Sequence, residues 1–581
     1  MDQVMQTPAF QKLKKNLRQD FSGLRGLRLA LLGDSSTQLL HQAIRGYGYE
    51  AGWNIDIWEA DYDQADMQIL DPGSEFYAWR PDAALVIDST RKLLRKFNAT
   101  APAERADFAA KVVGRIARRW QALRQHGLDR LICANFPEED DRVFGQYAAK
   151  MPGSFIHQLR KANVLLQEFA VAHAGVHVLD LAWLQNELGR ERFFSPAMYV
   201  TAELTLSVDA LPHAARQVVQ ILSSAAGVVK KCLILDLDNT LWGGIVGDDG
   251  WESLQIGGLG IGKAFSELQE WARKLKERGI ILAVCSKNTQ AVAEEAFRKH
   301  PEMVLRLDDF AVFRANWETK VENIREIQRT LNIGFDSMVF LDDNRFEREM
   351  VRAQLPEVTV PELPEDPAEY LGHLYALNLF ETASFSEADT SRTEQYRVEA
   401  QRAAAQAVFA NEDEFLAHLE MRSEVRPFDA YTIPRVAQLS QRSNQYNLRT
   451  VRYGEEDAKR LAASPDHVTR SFTLADRYGD HGLIAVVVLE RRSPGRFFIE
   501  NWFMSCRVLK RGMESFILNH LVAACREHGI AELAGEYLPT AKNELVRDHY
   551  RDLGFRQEGA VWVLDCGKYA QRPCHITRSE K

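Results

Sequence analysis

Two carboxylates in the middle of the chain have a spacing suited to catalysis. Asp236 and Asp238 directly follow the apolar run 232–235, which has the length and composition of a buried parallel strand. At the carboxyl end of such a strand both side chains can face one crevice, where one can attack a substrate while the other transfers protons. An isolated Asp-x-Asp pair is more often a solvated loop, so its neighbours in the chain decide its meaning.

Two later segments carry groups suited to phosphate. The second apolar strand, 280–285, is followed by Ser286, Lys287 and Asn288. Their polar side chains and backbone N–H groups are predicted to hold phosphoryl oxygens. Lys320 opens the amphipathic segment 321–331 and adds a positive charge.

A third predicted strand, 337–341, ends in Asp342 and Asp343. Acids at the ends of two strands form an oxygen-rich pocket of the kind that suits Mg²⁺, a hard cation with oxygen ligands. We therefore predict a Mg²⁺ site built from Asp236, Asp238, Asp342 and Asp343.

In this order, Asp236, Ser286, Lys320 and Asp342 resemble the four motifs of the haloacid dehalogenase (HAD) phosphatase superfamily. The resemblance implies that Asp236 is the nucleophile that becomes aspartyl-phosphate and that Asp238 is the general acid/base. It also implies that Ser286 and Lys320 bind the phosphoryl group. The spacing between the motifs leaves no room for a cap domain, so a large substrate or a neighbouring domain must exclude water.

The first part of the chain predicts another doubly wound sheet. Strand 27–32 ends in Gly-Asp-Ser-Ser, and further strands alternate with helices up to about residue 134. The Gly-Asp-Ser block resembles that of SGNH-type hydrolases, in which Ser35 would be the nucleophile. The remaining candidates, Asn135, Asp209 and His213, fit that pattern poorly, so we favour docking or substrate recognition over catalysis.

The last third predicts an antiparallel meander followed by a helix at 515–527. The turn before that helix resembles the coenzyme A loop of GNAT-type acyltransferases, with Arg507 and Gly512 in register and Lys510 in place of the first glycine. Together with Arg511, these residues are the predicted pantetheine-binding group, and Lys510 and Arg511 are also candidates for steering an acidic carrier protein. A solvated basic turn is the alternative.

Two further residues of this region are candidate catalytic groups. By the GNAT resemblance, Tyr550 would protonate a leaving thiolate, although helix packing explains it equally well. Cys506 lies beside Arg507 and ahead of a helix N-terminus, which favours the thiolate and suggests an acyl relay. Its rival Cys285 is predicted to point into the core, and direct transfer without any relay remains open.

Over essentially its whole length the chain resembles the FkbH-like family. The resemblance rests on Gly-Asp-Ser-Ser, on Leu-Asp-Leu-Asp-Asn-Thr-Leu-Trp-Gly-Gly, on Phe-Leu-Asp-Asp-Asn and on the GNAT-like end, with two further matching segments at 443–447 and 505–508. It implies transfer of a glyceryl unit from 1,3-bisphosphoglycerate to the phosphopantetheine thiol of an acyl carrier protein, with loss of phosphate, in polyketide-type biosynthesis. The alternatives are a plain phosphatase with inert flanking domains and a non-catalytic scaffold, against which the intact acids argue.

The composition sets the outer limits. The chain has 581 residues and a net charge of −9, so no overall field favours nucleic acid. The seven cysteines are not closely paired, and no long apolar run or signal-like N-terminus occurs, which predicts a cytoplasmic α/β multidomain protein. We predict an SGNH-like domain at 1–225, a capless HAD domain at 229–375, a helical linker at 376–420 and a GNAT-like α+β domain at 421–581.

Overall fold

The fold was analysed in a computed structural model of the full chain. The structure describes residues 7–385, 396, 398, 411–443, 445–505, 508, 509, 511–540 and 543–579. The chain divides into two compact units, residues 1–224 and 225–581. Within the described residues, no helix has both the length and the apolar character required to cross a bilayer.

The first unit is built on a five-stranded parallel sheet. Its strands are β1 (Arg25–Gly33), β2 (Trp53–Glu59), β3 (Ala83–Ile87), β4 (Leu131–Ala134) and β5 (Val176–Leu179). They lie in the order β2-β1-β3-β4-β5. The central strand β3 is apolar and buried along its whole length, because helices cover both faces of such a sheet. In this strand order, the connection from β1 leads to β2 on one side and the connection from β3 leads to β4 on the other. The carboxyl ends of β1 and β3 therefore frame a crevice.

Helices surround this sheet. They are α1 (Phe10–Asn16), α2 (Gln38–Glu50), α3 (Ala65–Leu70), α4 (Glu75–Trp79), α5 (Thr90–Ala99), α6 (Phe108–Gln125), α7 (Phe155–Ala172), α8 (Leu181–Leu188), α9 (Arg190–Phe193), α10 (Pro196–Ala202) and α11 (Leu211–Ala225). Short 3₁₀ turns lie at Pro102–Asp107 and Gly145–Lys150. Apolar clusters occupy the sheet–helix interfaces, including one around Ile69, Phe76 and Trp120.

The second unit begins with a four-stranded parallel sheet. The strands are β6 (Cys232–Leu235), β7 (Ile281–Ser286), β8 (Phe310–Ala315) and β9 (Met338–Leu341), in the order β8-β7-β6-β9. The helices of this part are α12 (Val246–Asp249), α13 (Gly262–Glu277), α14 (Gln290–Lys299), α15 (Lys320–Leu331), α16 (Arg345–Gln354) and α17 (Tyr370–Leu377). Single 3₁₀ turns lie at Trp251–Ser253, Leu307–Asp309, Phe335–Ser337 and Pro367–Glu369.

No cap domain interrupts this sheet within residues 232–341, all of which the structure describes. The connection from β6 to β7 contains α12, one 3₁₀ turn, a bridge between Gly243 and Gln255, and the helix α13. The carboxyl edge of the sheet is therefore bordered by short loops, as the spacing of the motifs predicted.

The last part of the chain forms a mixed sheet. Its strands are β10 (Met421–Ser423), β11 (Val425–Arg426), β12 (His467–Asp476), β13 (Gly479–Ser493), β14 (Arg496–Met504), β15 (Glu532–Gly535), β16 (Arg556–Glu558), β17 (Val561–Asp565) and β18 (Ile576–Arg578). The order is β16-β17-β15-β14-β13-β12-β10-β18, and β11 pairs with β12. The helices are α18 (Glu412–His418), α19 (Ile433–Arg442), α20 (Glu455–Ala463), α21 (Met513–Glu527) and α22 (His549–Asp552), with a 3₁₀ turn at Glu544–Val546.

A segment of the chain fills the gap where two strands of this sheet separate. Strands β14 and β15 pair only from Arg496 to Phe498. Beyond that point, Leu448 N–H donates to the Trp502 carbonyl (3.1 Å) and Leu538 N–H donates to the Leu448 carbonyl (2.9 Å). Residues 446–448 thus bridge the two diverging segments, and the chain's own backbone closes this gap.

Most predicted elements are present, with ends shifted by a few residues. One of the helices predicted before residue 134 is a 3₁₀ turn followed by α6, because Pro102 favours a tight first turn. Strand β5 and the short strands β10, β11 and β15–β18 were not predicted, since segments of two to five residues carry little periodicity. The predicted linker helix falls largely on residues 386–410, which lie outside the described residues except for 396 and 398.

Candidate functional site

Three acids and one lysine meet at the carboxyl edge of the second sheet. Oxygen atoms of Asp236, Asp342 and Asp343 all lie within 4.8 Å of one another. The Lys320 ammonium group is 2.9 Å from Asp236 Oδ2 and also contacts Asp342 Oδ2. Asp236 follows β6, Asp342 and Asp343 follow the adjacent β9, and Lys320 is the first residue of α15, whose N-cap is Thr319. Parallel pairing of β6 with β9 therefore brings together acids that are more than 100 residues apart.

Burial makes this group electrostatically strong. Asp236, Lys320 and Asp342 are 5%, 4% and 0% exposed. Burial and the neighbouring Asp236 carboxylate raise the pKa of Asp342 to about 7. Burial opposes the charge on Lys320, but the carboxylates of Asp236 and Asp342 outweigh it and raise the pKa of this lysine. One ammonium group thus faces three acids, which leaves an excess of negative charge.

The residues fit the predicted divalent cation. Asp236 Oδ1 is buried and has no hydrogen-bond partner, which is costly unless another group binds it. Hard oxygen donors within 4.8 Å of one another are the donor set that Mg²⁺ takes. Asp236, Asp342 and Asp343 would hold the ion.

Asp238 does not join the predicted metal site of four acids. Its Oδ1 accepts hydrogen bonds from Trp242 Nε1 (2.9 Å) and from Val246 N–H (3.0 Å), and its Oδ2 accepts one from Asn288 Nδ2 (2.8 Å). It lies outside the group formed by the other three acids. These donors orient the carboxylate beside Asp236, which fits a proton-transfer role better than metal binding.

The predicted phosphate-binding residues follow β7 but differ in their surroundings. Ser286 and Asn288 are 1% and 3% exposed, and Asn288 Nδ2 also donates to Ser286 Oγ (3.2 Å). Lys287 is instead paired with Glu347 at 2.5 Å. The structure therefore links Ser286 through Asn288 to Asp238, whereas the charge of Lys287 is already balanced by Glu347.

Sequence reasoning missed Arg348 and Thr240. Arg348 Nη1 donates to the carbonyl oxygens of Asp342 and Asp343, both at 2.7 Å, and its Nη2 pairs with Glu362. Thr240 Oγ1 accepts from Asp343 N–H at 3.1 Å. Both residues fix the loop that carries the metal-binding acids. The α16 sequence offered no signal for this role, because a basic residue on an amphipathic helix is usually solvated.

In the first unit, the SGNH-like candidates are not joined into a catalytic set. Ser35 Oγ and His213 Nδ1 are buried without hydrogen-bond partners, so no hydrogen bond links these two residues. Asn135 Nδ2 donates to Asp180 Oδ1 (2.6 Å), and its carbonyl accepts from Ala182 N–H. Burial lowers the pKa of His213 to about 4.

The structure contradicts two predictions in the last part of the chain. Arg511 is 6% exposed and lies 3.0 Å from His481 Nε2 and 3.5 Å from Asp476, so it is a buried ion-pair partner and not a surface steering group. Tyr550 is 1% exposed, and its hydroxyl packs against Gly535 without a hydrogen bond. Burial raises the pKa of Tyr550, which is the opposite of what a proton donor to a thiolate needs.

The other candidates of this region give a mixed result. Gly512 has φ +77° and precedes α21, which fits the predicted turn before a helix. Cys506, Arg507 and Lys510 lie outside the described residues.

Cys285, the rival of Cys506 as a relay thiol, is fully buried in the core beneath the acids, as strand alternation predicted, and burial raises the pKa of its thiol.

The fold and the site define a multidomain α/β protein with an HAD-type domain, in which a strand-end Asp-x-Asp faces an acid pair and a lysine. Residues 28–223 match the family model described as FkbH, N-terminal domain. A crystal structure of the N-terminal part of a Bacteroides fragilis protein, which contains a phosphatase domain complexed with Mg, is 52% identical. It has a TM-score of 0.63, and the match covers 65% of this chain and all of that one. The chain belongs to the FkbH-like family.

Two further similarities each cover about a quarter of the chain. The ribosomal-protein-S18-alanine N-acetyltransferase from Escherichia coli is 14% identical over 26% of this chain and 98% of that one, with a TM-score of 0.21. A spermidine N-acetyltransferase from Vibrio cholerae is 12% identical over 25% of this chain and 96% of that one, also with a TM-score of 0.21. Neither likeness carries a functional argument. No curated protein sequence matches this chain significantly.

Proposed function

We propose that the protein is a Mg²⁺-dependent phosphatase and glyceryltransferase that loads a glyceryl unit from 1,3-bisphosphoglycerate onto the phosphopantetheine thiol of an acyl carrier protein. The observation that carries the phosphatase part is the unpartnered, buried Asp236 Oδ1 beside two further acids and Lys320. The glyceryl donor and the carrier rest on the resemblance to the FkbH-like family.

In the phosphoryl step, an oxygen of Asp236 forms a bond to the phosphorus of the 3-phosphate ester, and the bond from that phosphorus to the C3 oxygen breaks. In the acyl step, a thiolate forms a bond to the C1 carbonyl carbon and the 1-phosphate departs as inorganic phosphate. Asp238 gives a proton to the departing oxygen and later takes one from the water that hydrolyses the aspartyl-phosphate. Lys320 and Ser286 orient the phosphoryl oxygens. Mg²⁺ bound by Asp236, Asp342 and Asp343 would neutralise their negative charge.

The first test concerns phosphate release. Asp236→Asn keeps the shape of the side chain but replaces the carboxylate by an amide, a far weaker nucleophile, so phosphate release should fall by about 10³-fold or more. Asp249→Asn, at the end of α12, is the matched control and should keep full activity. Wild-type rates in the Asp236 variant would contradict the proposal.

The second test concerns the metal. Exhaustive EDTA treatment should abolish phosphate release, and added Mg²⁺ should restore it, because Lys320 alone does not balance three acids and an anionic phosphate. Turnover that persists in EDTA would exclude a metal-dependent reaction.

The transferase part is tested by intact mass. The protein is incubated with Mg²⁺, 1,3-bisphosphoglycerate and a holo acyl carrier protein, and a glyceryl mass is expected on the carrier. Phosphate release without this adduct would favour a plain phosphatase. Cys506→Ser should block loading if that thiol is an acyl relay, whereas normal loading would indicate direct attack by the pantetheine thiol.

Because Arg511 is buried, Lys510 is the remaining candidate for steering the acidic carrier protein to this region. Lys510→Glu should weaken carrier loading and spare phosphate release. Equal loss of both activities would indicate misfolding.

A further inference from the structure

The exposed apolar side chains around the second parallel sheet gather at the edge that carries the acid site. Within residues 232–360, all of which the structure describes, five large apolar side chains are exposed. Each lies on a connection that leaves the carboxyl edge of the sheet, and they are Ile245, Leu259, Ile261, Trp317 and Phe346. Single exposed apolar residues are ordinary, but a set confined to the edge with the acids indicates a binding surface.

Two of these side chains lie beside groups that would act on the substrate. Ile245 immediately precedes Val246, whose N–H donates to Asp238 Oδ1 at 3.0 Å. Trp317 lies three residues before Lys320, in the short connection between β8 and α15, and is 74% exposed. Both are therefore close in the chain to residues that are proposed to contact the phosphoryl group or its leaving oxygen.

Phe346 has a corresponding position beside the metal-binding acids. Its N–H donates to Asn344 Oδ1 (2.9 Å), and Asn344 N–H donates to Asp342 Oδ1 (2.8 Å). The phenyl ring is 65% exposed in the first turn of α16. Because β8 and β9 are the two outer strands of this sheet, Trp317 and Phe346 border its carboxyl edge at opposite ends.

The charges on these connections do not favour a second anionic group. Besides Lys320, the cations there are Lys287 and Arg345, and both already pair with glutamates of α16. Asp248 and Glu318 are exposed, and neither forms an ion pair with another described residue. An anionic group that lies outside the acid site would therefore meet negative charge.

This surface suits only one end of 1,3-bisphosphoglycerate. With the 3-phosphate beside Lys320, the phosphate at the other end would lie among apolar and negatively charged side chains. A thioester at C1 carries no charge. Its stem also brings apolar atoms that Trp317 and Phe346 can remove from water.

We propose that the phosphatase site acts on a 3-phosphoglyceryl thioester, so that acyl transfer precedes phosphoryl removal. The inference rests on the proposed glyceryl transfer and adds the order of its steps. A thiolate bonds to C1 and the 1-phosphate departs; Asp236 then takes the 3-phosphoryl group while Asp238 protonates the C3 oxygen. Water releases inorganic phosphate from Asp236, and the glyceryl thioester remains. The thiol belongs either to a pantetheine arm or to a cysteine of this chain.

Phosphate release from defined probes tests this specificity. The full chain with Mg²⁺ is given 3-phosphoglycerate, its S-methyl thioester and its pantetheine thioester. The free acid has a carboxylate at C1, so kcat/KM should be about tenfold or more higher for the methyl thioester, and about tenfold higher again for the pantetheine thioester. Equal kcat/KM for all three probes overturns the proposal. No phosphate release from any probe would contradict the phosphatase itself, and this inference with it.

Variants assign the preference to the apolar surface. Trp317→Ser and Phe346→Ser change exposed side chains, and each should lower the ratio of kcat/KM between the pantetheine and methyl thioesters about threefold. Thermal midpoints check the fold. Tyr431→Ser removes an exposed ring just before α19 and is the matched control, which should keep the wild-type ratio. A wild-type ratio in both the Trp317 and the Phe346 variants overturns the proposal.

Asp236→Asn tests the order of the steps. With 1,3-bisphosphoglycerate and a holo acyl carrier protein that the wild type loads, this variant should accumulate an acyl adduct one phosphate heavier than the glyceryl group. Intact mass places the adduct on the carrier or on this chain, which distinguishes the two sources of the thiol. If the variant forms no acyl adduct, phosphoryl removal comes first and the proposal is overturned. A wild type that loads no carrier would instead contradict the glyceryl transfer on which the inference rests.

Discussion

Replacement of Lys320 by methionine tests the electrostatic account of the acid site. The side chain keeps its length but loses the only ammonium group that contacts Asp236 and Asp342 in the described structure. The lysine is 4% exposed, so water cannot take over its role. The variant leaves three acids near one another without a compensating charge.

The size of the effect follows from the geometry. At the Nζ–Oδ2 separation of 2.9 Å, one pair of unit charges interacts by about 6 kcal/mol at an effective dielectric constant of roughly 20. Desolvation of the buried ammonium group offsets part of this. Removal of one partner from a buried pair typically costs about 3–5 kcal/mol, which is the loss of unfolding free energy that we expect.

Urea denaturation followed by tryptophan fluorescence measures this loss, with and without Mg²⁺. Mg²⁺ should recover more stability in the Lys320→Met variant than in the wild type, because the cation then supplies the only positive charge among the acids. Lys299→Met removes an exposed lysine that pairs with Glu295 and should leave the free energy of unfolding nearly unchanged, because exposed ion pairs contribute little. If the Lys320 variant stays within about 1 kcal/mol of wild type without Mg²⁺, the buried ion-pair argument is refuted.

Three further substitutions test other parts of the structure. Burial and Asp88 raise the pKa of Asp34 to about 6. The stability that the protonated carboxyl group contributes is therefore present at acid pH and is lost as the pH rises through 6. Asp34→Asn should remove roughly 2–3 kcal/mol of this pH dependence of the unfolding free energy between about pH 4 and 7, as measured by urea titrations. Tyr550→Phe removes a buried hydroxyl without a partner and should leave the thermal midpoint and carrier loading nearly unchanged. Gly46→Ala should lower the thermal midpoint by several degrees, because a Cβ atom there would lie 2.2 Å from the Leu13 carbonyl oxygen.

Each of these predictions has a result that would contradict it. A stability that varies equally with pH in wild type and Asp34→Asn would place the titrating group elsewhere. Loss of carrier loading in Tyr550→Phe at unchanged stability would restore the predicted role of this hydroxyl. For the glycine, Gly114→Ala is the control, since this glycine also lies within a helix and no atom lies within 4 Å of a Cβ atom there.

The main strands could be predicted from the sequence alone, and with them the HAD-type site. Short apolar runs that stop at acids are local signals, and parallel pairing necessarily brings the carboxyl ends of neighbouring strands to one edge. Asp236, Asp342 and Lys320 were therefore predictable from their positions after β6, after β9 and at the start of α15.

The contacts of individual side chains could not be predicted from the sequence and depend on the fold. The Asp238 carboxylate accepts hydrogen bonds from Trp242 and Asn288 and is not part of the group formed by the other three acids, which depends on the path of the loop after β6. Arg511 and Tyr550 were predicted to be functional from a sequence pattern. Both side chains are buried, so Arg511 does not act as a surface charge and Tyr550 is unsuited to donate a proton. Side-chain direction and solvent access depend on residues distant in the chain, so no local pattern in the sequence encodes them.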